Sequence, residues 1–137
     1  MKAFLDTNIL VDVILKREPF AREAETILTM GSNGKIQLFA STLSVTTMAY
    51  LLKKTDTGTK KKILSGLFSF VSLLPSKEEH VTNALKSDFD DLEDALQYEA
   101  SLEGPCDIII TRNVKDFVES RIPVISPTDF LRLCGKP

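Results

Sequence analysis

The hydrophobic pattern opens with a four-residue run, KAFL at 2–5, which stops at Asp6 and passes straight into TNILVDVILK at 7–16. A short apolar run followed by apolar positions three and four apart predicts a strand feeding a helix, with polar groups at the junction. Pro19 suits the first turn of a second helix, AREAETILTM at 21–30, which is expected to end before Gly31 and Gly34. KIQLFA at 35–40 predicts a second strand, and STLSVTTMAYLLKK at 41–54 a helix opened by Ser41 or Thr42. Thr57 and Gly58 break the pattern before a helix over 60–70, and FVSLL at 70–74 predicts a third strand closed by Pro75. Helices follow over 77–86 and 90–102. CDIIIT at 106–111 is the strongest strand signal, continuous and β-branched, as expected for a strand covered on both faces. Asn113 to Phe117 predicts a turn and IPVIS at 122–126 a last strand. Ser126-Pro127-Thr128-Asp129 is a cap with proline at the first helical position, opening a final helix over 130–134.

Strands alternating with helices predict an α/β fold: three layers, α/β/α, around a parallel sheet of about five strands. Ligands of such sheets bind beyond the carboxyl ends of the strands, which nominates whatever follows KAFL and CDIII. No repeat or Pro/Gly-rich linker divides the 137 residues, so one domain over 1–137 is expected.

Composition narrows the function. Nineteen acidic against seventeen basic residues, a net charge of −2, argue against a basic coat-type nucleic-acid binder but leave an enzyme acting on nucleic acid open. Cys106 and Cys134 lack a CxxC spacing, which points to a reduced, cytoplasmic protein rather than a zinc ribbon or redox motif. Asp6 and Asp12 interrupt the apolar N-terminal stretch, so it is expected to be structure and not a secretory signal. No apolar run approaches the ~20 residues of a membrane helix. With His80 as the one histidine, zinc hydrolases and Ser-His-Asp triads lack parts, and His80 itself is expected on an exposed helix face.

The carboxylates carry the chemistry. Asp6 stands at a strand's carboxyl end and a helix's amino end, where it suits either a helix cap or a ligand. Residues 88–94 hold five acids in seven positions. Acids favour the first turn of a helix, but a helical wheel also gathers Asp90, Asp91 and Asp94 on the flank of the face bearing Leu92, Ala95, Leu96, Ala100 and Leu102. Three like charges there repel one another unless a cation or a basic partner neutralises them. Glu93 points elsewhere on the wheel, as a solvated acid would. Glu99 falls on the apolar face, where a buried Lys or Arg or an interface is the alternative partner. Past CDIII, the segment Thr111-Arg112-Asn113-Val114-Lys115-Asp116-Phe117 is either an ordinary turn or a third source of oxygen ligands at the edge holding Asp6. Oxygen ligands without nearby His or Cys select hard cations such as Mg²⁺ or Mn²⁺.

FLDTNIL at 4–10, EDALQYEAS at 93–101 and IIITRNVKDF at 108–117 resemble the PIN domain, the fold of many metal-dependent ribonucleases including VapC-type toxins. With IPVISPTDFL the resemblance covers essentially the whole chain. It implies that Asp6 and Asp94 belong to the family's metal-binding acids, with Asn8 ordering the loop and Asp91, one helical turn before Asp94, as an auxiliary ligand. The last acidic position falls on Asn113, with Asp116 close by as its substitute. The glutamate usual after the opening Ser-x-x-Thr is replaced by Thr47, and no acid lies between Lys35 and Asp56. A hydroxyl ligates a divalent cation less well than a carboxylate, so a second metal position, or catalysis itself, is the open point. The chain is most similar to a bacterial subgroup that often lacks this glutamate.

The resemblance implies metal-dependent hydrolysis of RNA, single-stranded or structured, through Asp6, Asp94 and Asp116, with a small antitoxin protein and a second copy of the chain as partners. Lys53, Lys54 and Lys60–Lys62, with Arg112 and Lys115 nearer the site, suit contacts to the phosphate backbone. The lysine runs equally suit solvated helix ends, Lys53 and Lys54 at a favourable carboxyl terminus. The alternative is a PIN domain that binds RNA or protein without cutting. A phosphatase of the Asp-x-Asp kind fits less well, because Asn8 occupies the second acidic position.

Overall fold

In the computed structural model, which describes every residue except Val118, Lys136 and Pro137, the apolar runs become five strands. These are β1 (Lys2–Leu5), β2 (Gln37–Ser41), β3 (Val71–Leu74), β4 (Ile108–Ile110) and β5 (Val124–Ile125), all paired in parallel in the order β3-β2-β1-β4-β5. The helices are α1 (Thr7–Ile14), α2 (Phe20–Ser32), α3 (Thr42–Leu51), α4 (Thr57–Leu67), α5 (Glu78–Lys86), α6 (Leu92–Ser101) and α7 (Pro127–Leu133), with a 3-10 turn over Val114–Phe117.

The two-residue period of the strands divides the core between two faces. Ala3 and Leu5 of β1, with Ile108 and Ile110 of β4, pack against Ile9 and Leu10 of α1, Ile27 of α2, Met48 of α3 and Phe130 of α7. Phe4 and Ile109 point the opposite way, into a second cluster with Tyr98 and Ala100 of α6 and Phe117. Helices therefore cover both faces, the three-layer α/β/α arrangement that the alternation of elements predicts. Among the described residues no helix is long and apolar enough to cross a membrane.

The departures from the expected elements have local causes. α2 runs through Gly31 to Ser32, because at Gly31 the absence of a Cβ leaves room for the Leu38 side chain of β2. Thr57 and Gly58, expected as a break, form the first turn of α4, since Asp56 caps it by accepting the Thr59 N–H at 2.9 Å. α6 starts at Leu92 rather than residue 90, because Asp91 is its cap, with extended backbone and a side chain accepting the Asp94 N–H. Leu92 of the expected apolar face is 48% exposed.

His80 is buried, not exposed. Its Nδ1 accepts the Lys77 N–H at 3.0 Å, which makes Nε2 the donor to Glu103 Oε1 at 2.9 Å, and Lys77 Nζ completes the cluster at 2.7 Å from Glu103 Oε2. Sequence periodicity misses this because Glu103 arrives from just past the end of α6, while Lys77 is the cap of α5 itself. Glu99 has no ion pair among the described residues: Asn83 of α5 donates to its Oε1 at 2.8 Å.

Ile109 is fully buried in the central strands, so Ile109→Ala is expected to lower the unfolding free energy by about 2–5 kcal/mol. Leu85→Ala, at a 68% exposed site on α5, is expected to stay within about 0.5 kcal/mol of the parent. Urea denaturation followed by circular dichroism measures both.

Candidate active site

The sheet order places a topological switch between β1 and β4: the chain builds outward from β1 through β2 to β3, then returns to β4 on its other side. Open parallel sheets bind ligands at such a point. Asp6 occupies it. Its N–H donates to the Ile110 carbonyl at 3.0 Å, extending the β1–β4 pairing by one residue and holding Asp6 at the carboxyl edge. The side chain also caps α1, with Oδ1 accepting the Thr7 N–H at 2.7 Å, and Oδ2 accepts the Thr111 hydroxyl at 2.7 Å. Cap and ligand were alternatives in the sequence; the geometry shows the cap, and leaves lone pairs of both oxygens available.

Thr111, fully buried past β4, is the junction of this edge. While its hydroxyl donates to Asp6, its oxygen accepts the Asn113 N–H at 3.0 Å and the Asn8 Nδ2 at 3.4 Å. The amide oxygen of Asn8 is buried without a hydrogen-bond partner among the described residues.

Asp94 reaches the same place from the first turn of α6. It is 8% exposed; its backbone N–H is held by Asp91 Oδ1 at 3.1 Å, while its carboxylate makes no hydrogen bond among the described residues. Beneath the acids, a buried chain of neutral groups joins three helices: Gln97 Nε2 of α6 donates to Thr7 Oγ1 of α1 at 2.9 Å, and Thr7 Oγ1 lies 2.7 Å from Ser44 Oγ of α3.

These residues border an open cavity of about 350 Å³, lined by Asp6, Asn8, Asp94, Asp91 and Asn113, by Thr47 of α3, and by two residues the sequence left out, Glu93 and Arg17. Glu93 is exposed, yet it borders the acids rather than pointing away from them: it lies one turn before Gln97, on the side of α6 that is tied through Thr7 to Ser44 of α3. No spacing in the sequence marks Arg17, which lies beyond α1 and approaches Asp12 at 4.0 Å.

The other nominated residues lie around this centre. Asp116 and Lys115, on the 3-10 turn, line an adjoining cleft of about 360 Å³ with Asp88 and Asp90, and Asp91 borders both spaces. Arg112 is drawn away: its guanidinium forms a two-pronged pair with the fully buried Asp12, at 2.7 and 3.2 Å, and stacks over the Phe20 ring at 4.1 Å. A buried carboxylate needs a counter-charge, and that need occupies the fork expected to meet phosphate. Lys53 lies over Tyr50 at 4.3 Å, and neither it nor Lys54 borders the acidic cavity.

Burial pushes the Asp6 carboxyl up to about 6, against the hydrogen bonds from Thr111 and Thr7, with the charges of Glu93 and Asp91 adding to the rise. Asp94 is pushed up to about 7, by burial first and then by the charges of Asp6, Asp91, Asp116 and Glu93. Two carboxyls raised by burial, Asp94 also by the charge of Asp6, beside an Asn8 oxygen without a partner among the described residues, offer oxygen ligands that fit a hard divalent cation.

The sequence profile of the PIN domain matches residues 2–115, a stretch that contains Asp6, Thr47, Asp94 and Asn113. The chain belongs to the PIN domain family. This PIN domain is 31% identical to Ribonuclease VapC1 of Aquifex aeolicus (strain VF5), over 94% of this chain and 92% of that protein. Its backbone superposes on a toxin-antitoxin complex from Klebsiella pneumoniae with a TM-score of 0.65 and 24% identity, covering 91% of this chain and 97% of that one. VapBC-1 from nontypeable Haemophilus influenzae gives 0.65 at 19% identity, covering 93% and 99%. At these identities the structural likeness speaks for the fold.

The raised carboxyls give this PIN domain a pH signature. Unfolded, both acids ionise near 3.8; folded, they hold their protons to about 6 and about 7. The folded state therefore binds more protons between these limits, so its stability is greatest below the unfolded value and falls as pH rises through the folded ones. The Tm of chelator-treated protein is expected to drop from about pH 4 to about pH 8, and Asp94→Asn to flatten the drop and raise the Tm at the upper end. Calorimetric scans across this range check both.

Proposed function

We propose that this PIN domain is a metal-dependent endoribonuclease that hydrolyses phosphodiester bonds of RNA, residues 1–137 acting as one domain. The observation carrying this reading is that Asp6 and Asp94, two carboxyls raised by burial, border one cavity at the switch point of the sheet. The 31% identity to Ribonuclease VapC1 supports the same conclusion.

Asp6 and Asp94 would hold Mg²⁺ or Mn²⁺, with the Asn8 oxygen and Asp91 bordering the same space. A bound ion of this kind supplies Lewis acidity and a lowered pKa for water, chemistry for which the chain has no histidine in the cavity. The Thr7 amide and Thr111 hydroxyl orient Asp6, which keeps its free lone pairs toward the cavity. Arg17 offers a positive charge to an RNA phosphate at the rim, and Lys115 offers another beside Asp116 in the adjoining cleft. Asp116 serves this reading as an outlying acid whose charge is felt at Asp94.

A small antitoxin protein and a second copy of the chain belong to this proposal as partners; the structural relative from Klebsiella pneumoniae supports the first by being a toxin-antitoxin complex. Two free cysteines suit a reduced cytoplasmic setting. One observation favours a second reading, an RNA- or protein-binding module that does not cut: α3 presents Thr47 to the cavity where the family usually has a glutamate.

Purified protein is expected to cleave RNA in Mg²⁺ or Mn²⁺ and to stop in chelator. Asp6→Asn is expected to lower the rate at least about 100-fold, the scale on which losing one transition-state-stabilising group acts. Equal residual cleavage by parent and variant would replace the enzyme reading with the binding one.

A further inference from the structure

We propose that Glu93 supplies, from α6, the metal-binding carboxylate that α3 lacks at Thr47. The inference rests on the reading of the cavity as a divalent-cation site and goes beyond it by naming a ligand from outside the family's usual positions.

The geometry places the two residues across from one another. Thr47 and Glu93 both line the acidic cavity, and both line the adjoining apolar groove of about 370 Å³ formed by Leu43, Leu92 and Leu96. Two side chains that border the same two spaces, one from each of two helices, share the rim between them. The buried hydrogen bonds fix this register. Ser44 lies three residues before Thr47 on α3, and Gln97 four residues after Glu93 on α6, so each lies on the same helical face as its neighbour. Ser44 and Gln97 are joined through Thr7 Oγ1, at 2.7 and 2.9 Å. Pinned one turn away on each helix, Thr47 and Glu93 are brought to the same side of the cavity.

The ligand-seeking feature of the space is independent of Glu93. Asp94, 8% exposed, borders it with a carboxylate that makes no hydrogen bond among the described residues. The Asn8 amide oxygen lines the same space, buried and with no hydrogen-bond partner among the described residues, and a cation in the cavity would satisfy it. Glu93 stands one residue away in sequence, exposed and without an ion pair among the described residues, and its charge bears on both Asp6 and Asp94. The Thr47 hydroxyl offers little to such an ion, and already lies 3.4 Å from the Leu43 carbonyl of its own helix.

Isothermal titration of Mn²⁺ into the chelator-stripped protein tests this without reference to catalysis. Parent, Asp6→Asn, Glu93→Gln, Glu79→Gln and the double variant Thr47→Glu/Glu93→Gln are compared, with circular dichroism confirming that each is folded. Glu93→Gln is expected to weaken Mn²⁺ binding about tenfold or more, as loss of a group that tunes a metal site does. Thr47→Glu in that background is expected to recover most of the affinity, and Glu79→Gln, which removes an acid from the separate Glu79, His80 and Glu103 cluster, to match the parent; affinity lost in Glu79→Gln alone places the ion in that cluster and overturns the assignment. Affinity unchanged in Glu93→Gln, or a double variant no tighter than Glu93→Gln, overturns the assignment while leaving the cation site standing. Affinity unchanged in Asp6→Asn instead overturns the cation site itself, and this assignment with it.

Discussion

The arrangement depends on one bargain between burial and charge at the carboxyl edge of β1 and β4. Burial raises both Asp6 and Asp94 at the rim of one open cavity, and the charge of Asp6 makes Asp94 harder still to ionise. Nothing local favours this. The hydrophobic clusters on the two faces of the sheet hold it in place, because Phe4 and Ile109 on one side and Leu5 and Ile110 on the other leave the strand ends no freedom to separate. The two hydrogen bonds to Asp6, from Thr7 and Thr111, soften the repulsion without removing it.

The surroundings are built from neutral groups where charge would be harmful and from paired charges where it is needed. Thr7, Ser44 and Gln97 tie α1, α3 and α6 together using hydroxyls and an amide, which add no net charge beside the acids. Farther along α1, the fully buried Asp12 takes Arg112 as its counter-ion. A positive group that its position in the chain nominates for substrate is thus part of the frame. Arg17, which the position of Asp12 also attracts, remains partly exposed and borders the acids.

Much of this was legible before any coordinates. KAFL and CDIII stand out because buried parallel strands demand continuous apolar runs, and the polar residue ending each run marks the site edge. Asp6, Asp94 and the TRN segment were recognisable for that reason, and from their resemblance to the PIN domain. Periodicity misleads at α6, where Asp91 caps the helix rather than lying within it, and where Glu93 borders the acids because Gln97, one turn on, is tied to α1 and α3. His80 was misplaced because the acceptor for its ring, Glu103, lies 23 residues away, beyond the reach of any local pattern.

The sequence alone therefore determined the order of elements, the parallel sheet and the carboxylates that end its strands, because each follows from short-range periodicity and from what a strand terminus can accommodate. The tertiary structure decided which charges face one another. It brought Thr47 and Glu93 to one rim, committed Arg112 to Asp12, and moved Asp116 into a neighbouring cleft. Electrostatic partnership depends on distance and burial across elements far apart in the chain, and those are fixed only when the helices pack.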